Sequence, residues 1–263
     1  MGKIEIVIRL ILSPLNAVIS YFEGIGRYVE FMLSMFRSFF SWHKNLNLVI
    51  DQMYQIGILS IPIVILTSLF SGMVTSVQAA YQFESGFVPN WFVGSIVGES
   101  ILLELAPMMT ALVMTGRIGA TIAAEIGTMR VTEQIDALES LSFDPVSFLI
   151  LPRILASAIM FPFLVIIADF FGIIGGLFTA VNVMDVSHAE FIRGLRSWFR
   201  PWDAWFGLIK GLCFGISITS IACYKGYFTT GGANGVGKST TSTVVVSCVM
   251  IVFLDYFLAA ILL

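Results

Sequence analysis

The chain has 263 residues, of which 57% are hydrophobic and only 12% charged, and its mean hydropathy is +0.93. A soluble domain carries roughly twice that share of charge, so the composition excludes a soluble globular protein and leaves no room for a full soluble domain beside a membrane domain. The net charge of −3 says little about partners, because a membrane protein distributes its charge by side, and no nucleic-acid partner is expected.

Residues 4–22 are apolar but interrupted by Glu5, Arg9 and Pro14, and they lack the small-residue cleavage site of a signal peptide. Lys3, Arg9, Arg27, Arg37 and Lys44 are scattered through the first 44 residues. This predicts a helix lying on the cytoplasmic face rather than a span. Residues 1–45 are read as an N-terminal interfacial or elbow region, and 46–263 as the membrane domain.

Five spans follow, at about 56–77, 91–115, 148–184, 204–224 and 243–263, each long enough for a hydrocarbon core of ~30 Å at ~1.5 Å per residue. The fold class is therefore an all-α integral membrane protein with an interfacial helix and five transmembrane helices. The third run has 37 residues, far more than the ~20 a span needs. Pro152 and Pro162 are expected to break or kink it, and its excess to project beyond the bilayer. With the N-terminus in the cytoplasm, ten basic residues lie inside and Arg193, Arg196 and Arg200 outside, while Lys210 falls within a span. The positive-inside rule then favours N-in, C-out. The segment 185–203, with Trp198 and Trp202, becomes an interfacial element of the outer face.

Between spans two and three lies Gly116–Asp144, GRIGATIAAEIGTMRVTEQIDALESLSFD. Ile118, Ile122, Ile126 and Met129 recur at spacings of three and four, and Ile135, Leu138 and Leu141 do so again. Charged residues separate them. An amphipathic helix held between spans suits docking into a groove on a soluble partner. The plainer alternative is a helix lying on the membrane surface. Such helices are usually basic, whereas here Arg117 and Arg130 face Glu125, Glu133, Asp136, Glu139 and Asp144, which anionic lipid would repel. A protein partner is favoured.

Five ionisable residues fall inside the spans: Glu99, Glu104, Asp169, Lys210 and Asp255. Each is costly there unless paired or facing a wet cavity, by ~3 kcal/mol or more. At ~1.5 Å per residue, Glu99 lies ~12 Å, Glu104 ~20 Å and Lys210 ~9 Å from the outer ends of their spans. Asp169 and Asp255 also fall toward the outer side. A polar cavity opening outward is expected, with Lys210 pairing one of these carboxylates; the competing reading is one buried ion pair that only fixes helix packing.

Gly232–Ser239, GANGVGKS, matches the phosphate-loop pattern. That motif needs a strand before it and a helix after it within an α/β domain. Here a span precedes it and only 24 residues follow Ser239. It reads as a Gly-rich cytoplasmic turn, with Lys238 as a positive-inside anchor. Cys213, Cys223 and Cys248 sit in apolar runs without paired spacing, as small core residues do. His43 and His188 have no metal-ligand spacing, so no metal site is expected.

The motifs ILLELAP (Ile101–Pro107), Gly116–Pro145, LPRILA (Leu151–Ala156), Gly226–Val245 and FLDYFLAA (Phe253–Ala260) resemble the MlaE/YrbE family of ABC-transporter permeases, which work with MCE proteins in lipid trafficking. Resemblance runs from about Gln52 to the C-terminus. It departs at Leu103, where the family often has Arg, and at Lys238, where it often has Arg or Ser-Arg. It implies a homodimeric permease of a bacterial inner membrane that handles phospholipids or related lipids and so bears on outer-membrane lipid asymmetry. It also implies a cytoplasmic ABC ATPase carrying the ATP and Mg, a periplasmic MCE-domain ring and, in some systems, a STAS-domain accessory protein. No cofactor and no catalytic activity are expected on this chain.

On topology and resemblance together, Glu125, Arg130, Glu133 and Glu139 form the expected ATPase-coupling surface. Gln78, Tyr81, Phe83, Glu99, Leu103 and Glu104 form the expected lipid pathway, beside an intramembrane charge cluster of Asp169, Lys210 and Asp255. Two rivals make different demands. A proton-coupled transporter or channel using Glu99, Glu104 and Asp255 would transport in a pH gradient without ATP. A membrane-anchored nucleotide-binding enzyme using Lys238 would bind ATP unaided.

Overall fold

The structure is a computed structural model that describes residues 23–38, 46–82, 89–184 and 186–263. Among them there is no strand, and five helical runs are long and apolar enough to cross a membrane: Leu46–Gln82, Trp91–Val131, Val146–Val183, Pro201–Tyr227 and Gly232–Leu262. Residues 1–22 of the expected interfacial helix lie outside the described residues.

Residues 23–38 form α1. Its Phe31 is buried among the rings of Tyr224, Tyr227 and Phe228, and Tyr28 shares a 2.7 Å hydrogen bond with Ser220. Ile25, Val29, Leu33 and Phe36 face outward.

The first span is longer than the hydropathy run indicates. It comprises α2 (Leu46–Ile56), a 3-10 turn (Ile58–Ser60) and α3 (Ile61–Gln82). Pro62 accounts for the turn: it has no N–H to give the preceding turn, and its ring crowds the carbonyl four residues back. In the third span, a π-helical turn (Val146–Ile150) leads into α8 (Leu151–Val183). Contrary to expectation, neither proline breaks it. Pro152 sits in the first turn, where a missing N–H costs nothing, and Pro162 lies inside a continuous helix.

Packing of α3 on α8 uses small residues, since lipid gives no hydrophobic drive between helices. Gly72 lies against the carbonyl of Gly172, and Gly175 against that of Leu69. The same device recurs outside. The segment 185–203 contains α9 (His188–Trp198), started by a capping box of Ser187 and Glu190. It packs on α4 (Trp91–Ser100) through Gly94 against the Phe191 carbonyl and Gly194 against the Trp91 carbonyl.

The second span corrects the expected loop. After α4 come a π-helical turn (Ile101–Leu105), α5 (Ala106–Met114), a second π-helical turn (Thr115–Gly119) and α6 (Ala120–Val131). Trp91–Val131 is thus one helical run of 41 residues. At ~1.5 Å per residue it is about 60 Å long, twice the hydrocarbon thickness. Residues 116–131 are a rigid extension of the span rather than a separate loop helix. The chain then turns at Glu133, whose φ is 60°, into α7 (Gln134–Ser140).

The fourth and fifth spans are α10 (Pro201–Tyr227) and α11 (Gly232–Leu262). The turn between them is 228–231, with Gly231 at φ 92° and Gly232 at φ 66°. GANGVGKS is therefore not itself a turn: it forms the first two turns of α11. A helical backbone there cannot fold round a phosphate, which removes the nucleotide-loop reading on geometric grounds.

Candidate functional site

Two sites emerge, one within the spans and one at the end that carries α6 and α7. The first centres on Lys210, which α10 buries completely (0% exposed). Its Nζ lies 2.6 Å from Glu104 Oε2 and 2.6 Å from Asp255 Oδ1, and it donates to the Leu103 carbonyl at 3.0 Å. The Asp255 contact is a close ion contact rather than a well-angled hydrogen bond. Phe206, one turn back on α10, puts its ring centroid 4.8 Å from the same nitrogen. One cation thus holds two carboxylates and ties the second, fourth and fifth spans together. Such a cluster persists in apolar surroundings only because each charge has a partner.

Pairing of Lys210 with a carboxylate was legible in the sequence; the choice of carboxylates was not. Asp169 makes no ion pair with Lys210, and its Oδ1 is buried without a hydrogen-bond partner. The expected cluster of Asp169, Lys210 and Asp255 is in fact Glu104, Lys210 and Asp255.

Glu104 reaches Lys210 because it sits in the π-helical turn Ile101–Leu105. Its side chain is 43% exposed on the opposite side, where it lines a cleft of about 490 Å³ between α3 and the second span. Thr75, Gln78, Gln82, Glu99, Ser100 and Glu104 supply its polar groups, and Ala79, Ile96, Leu103 and Leu105 its apolar wall. Four expected pathway residues, Gln78, Glu99, Leu103 and Glu104, therefore share one cavity. Tyr81 is exposed and outside its lining, and Phe83 lies outside the described residues. Thr75, Gln82 and Ser100 were missed, although Thr75 and Gln82 share a helical face with Gln78 at spacings of three and four.

At the second site, α6 packs against the ends of α10 and α11: Gly226 meets Ile126, and Gly127 meets Thr229 and Val236. Ile122, Ile126 and Ile135 are buried, as their periodicity predicts, but Leu141 is 69% exposed. Three of the four expected coupling residues are engaged within the chain. Glu125 accepts from Arg153 at 3.1 Å, Arg130 pairs with Asp136 at 2.5 Å and stacks over Tyr227, and Glu139 accepts from Tyr227 Oη at 3.1 Å. Glu133 occupies the left-handed turn. Asp144 accepts from Ser38 at 2.9 Å and caps the turn that leads into α8. Arg117 donates to Ser60 Oγ and joins the second π-helical turn to the first span.

Arg153 is the strongest of these ties. It also donates to the Leu149 carbonyl at 2.6 Å and is 8% exposed. Arg153→Met is expected to cost about 1–2 kcal/mol, the scale of a partly exposed charged hydrogen bond. Thermal unfolding of Arg153→Met, Glu125→Gln and the double variant checks this. The double should lose little more than Arg153→Met alone; strictly additive losses would show that the pair contributes nothing.

Five apolar helical spans round a buried ion cluster, with a polar cleft entering between two of them, define a multi-pass membrane permease. The chain belongs to the MlaE permease family, whose description, permease MlaE, matches residues 49–261. It is similar to a probable ABC transporter permease of Rickettsia conorii, 39% identical over 90% of this chain and 92% of that one. The intermembrane phospholipid transport system permease protein MlaE of Haemophilus influenzae is 34% identical over 93% of this chain and 94% of its own length. The chloroplastic protein TRIGALACTOSYLDIACYLGLYCEROL 1 of Arabidopsis thaliana is 35% identical over 88% of this chain and 65% of its own.

Proposed function

We propose that this chain is the permease subunit of an ABC transporter that moves phospholipids between a bacterial inner membrane and a periplasmic MCE-protein carrier. ATP would be hydrolysed on a partner subunit. The observation that carries this reading is the cleft of Gln78, Glu99, Leu103 and Glu104: polar groups beside an apolar wall, between two helical runs long and apolar enough to cross a membrane. That combination suits a molecule with a headgroup and acyl chains better than a bare proton or ion. The name of the Haemophilus influenzae relative adds intermembrane phospholipid transport.

The coupling element is α6 with α7. Its exposed acidic residues and the projecting Leu141 and Phe143 offer a mixed surface to a cytoplasmic ATPase. Movement there would pass along the unbroken Trp91–Val131 run to the cleft, because a continuous helix transmits displacement without a hinge. The permease acts as a homodimer, and α11 is the natural contact. It exposes Val245, Val249, Val252, Phe253 and Tyr256 along one side and Asn234, Gly237 and Thr241 at its start. The N-terminus is cytoplasmic and the C-terminus periplasmic, on the distribution of basic residues.

A tagged pull-down from native membranes in mild detergent, read by mass spectrometry, tests the assembly. The expected result is co-recovery of an ABC ATPase, an MCE-domain protein and phospholipid. Recovery of the chain alone, even after crosslinking, overturns this reading; proton-gradient transport by the reconstituted chain without ATP would then support the carboxylate-relay alternative.

A further inference from the structure

The charges around the cleft are one-sided. Among the described residues its ionisable lining groups are Glu99 and Glu104, and no Lys, Arg or His lines it. Lys210 lies just behind, but it is completely buried and already held by two carboxylates and a backbone carbonyl. Its charge is neutralised inside the helix bundle rather than presented to the cavity. Glu99 has no hydrogen bond or ion pair among the described residues. The remaining polar groups, Thr75, Gln78, Gln82 and Ser100, are uncharged donors and acceptors.

We infer that the cleft selects lipids whose headgroup carries an ammonium, with Glu99 receiving that ammonium and the glutamines and hydroxyls receiving the phosphate. This rests on the reading of the cleft as the lipid site and adds the headgroup class. A zwitterionic head brings a cation to an unpaired carboxylate in a partly desolvated cavity. An anionic phosphatidylglycerol head brings phosphate to the same carboxylate with no cation to meet it. Unpaired like charge acts here as a repulsive element, and specificity commonly comes from such an element as much as from attraction. The cleft is open on one side, so the discrimination is modest.

The test uses the full-length chain, reconstituted in vesicles of equimolar dioleoyl-phosphatidylethanolamine and dioleoyl-phosphatidylglycerol, re-extracted in mild detergent, and analysed for retained lipid by mass spectrometry. The wild type should retain phosphatidylethanolamine over phosphatidylglycerol by about fivefold, what a partly exposed ion pair provides. Glu99→Gln should reduce the ratio toward one, and Glu99→Lys should invert it. Replacing the ethanolamine lipid with its phosphatidylcholine counterpart should keep the preference, since the charge and not the N–H donors is recognised. Equal retention of both lipids by the wild type overturns the headgroup inference and leaves the lipid cleft standing. An unchanged ratio in folded Glu99→Lys also overturns it. Retention of no lipid overturns both.

Discussion

Lys210→Met is expected to abolish transport and to lower the stability of the folded chain by about 3–5 kcal/mol, the cost of removing one partner from a buried ion cluster. Methionine fills a similar volume, so the loss is electrostatic. Glu104 and Asp255 would face each other with no cation between them, Asp255 being only 15% exposed. Reduced expression alone would not distinguish a transport role from a packing role. The triple variant Glu104→Gln, Lys210→Met, Asp255→Asn does, because replacing a whole buried cluster by neutral residues of similar size is often neutral or stabilising. Its thermal unfolding should return near the wild-type value. Transport assayed in vesicles should stay lost if Glu104 serves the cleft. Recovery of transport in the triple variant would reduce the cluster to a packing device.

Gly72→Leu is expected to prevent α3 from closing on α8. A Cβ at Gly72 would meet the carbonyl oxygen of Gly172, which is backbone and cannot swing aside. The two helices must separate along their contact, and the gap also reaches Gly175 and Leu69. Overpacking of a core typically costs ~1–3 kcal/mol. This substitution belongs at or beyond the upper end, because close backbone approach is the main source of adhesion between helices in lipid. Size-exclusion chromatography in detergent should show aggregate in place of a monodisperse peak. Gly24→Ala, where a Cβ has open space, should elute as wild type. A monodisperse Gly72→Leu with an unchanged melting point would show that the α3–α8 contact is not close in solution.

Failure of these variants would have different meanings, because the two contacts arise differently. Gly72 and Gly172 lie in apolar runs where any small residue satisfies hydropathy, so their pairing is invisible in one sequence. Lys210 announces itself, since an ammonium in a span demands a partner. Its partners, however, depend on how each helix is rotated about its axis. Glu104 lies in a π-helical turn, and the extra residue in such a turn rotates everything beyond it by about 100°. A count at regular helical spacing therefore does not tell which way Glu104 points, and the choice among the carboxylates stays open in the sequence. The continuity of the second span with α6 through Thr115–Gly119 was hidden as well, because the apolar run ends there and hydropathy marks the edge of a span, not the end of a helix.

Composition and hydropathy alone determined that this is a membrane protein with five spans, because burial in lipid is a local, additive property of about twenty consecutive side chains. Local motifs likewise carried the family, and helical periodicity carried the buried faces of Ile122, Ile126 and Ile135. Only the tertiary structure decided that Glu104 and Asp255, not Asp169, hold Lys210, that Glu125, Arg130 and Glu139 are tied within the chain, and that, among the described residues, Glu99 stands unpaired in a cleft that no base lines. Those outcomes depend on helix rotation and on which side chains of different helices approach one another, as Glu104 and Lys210 do, which close packing determines and local pattern does not.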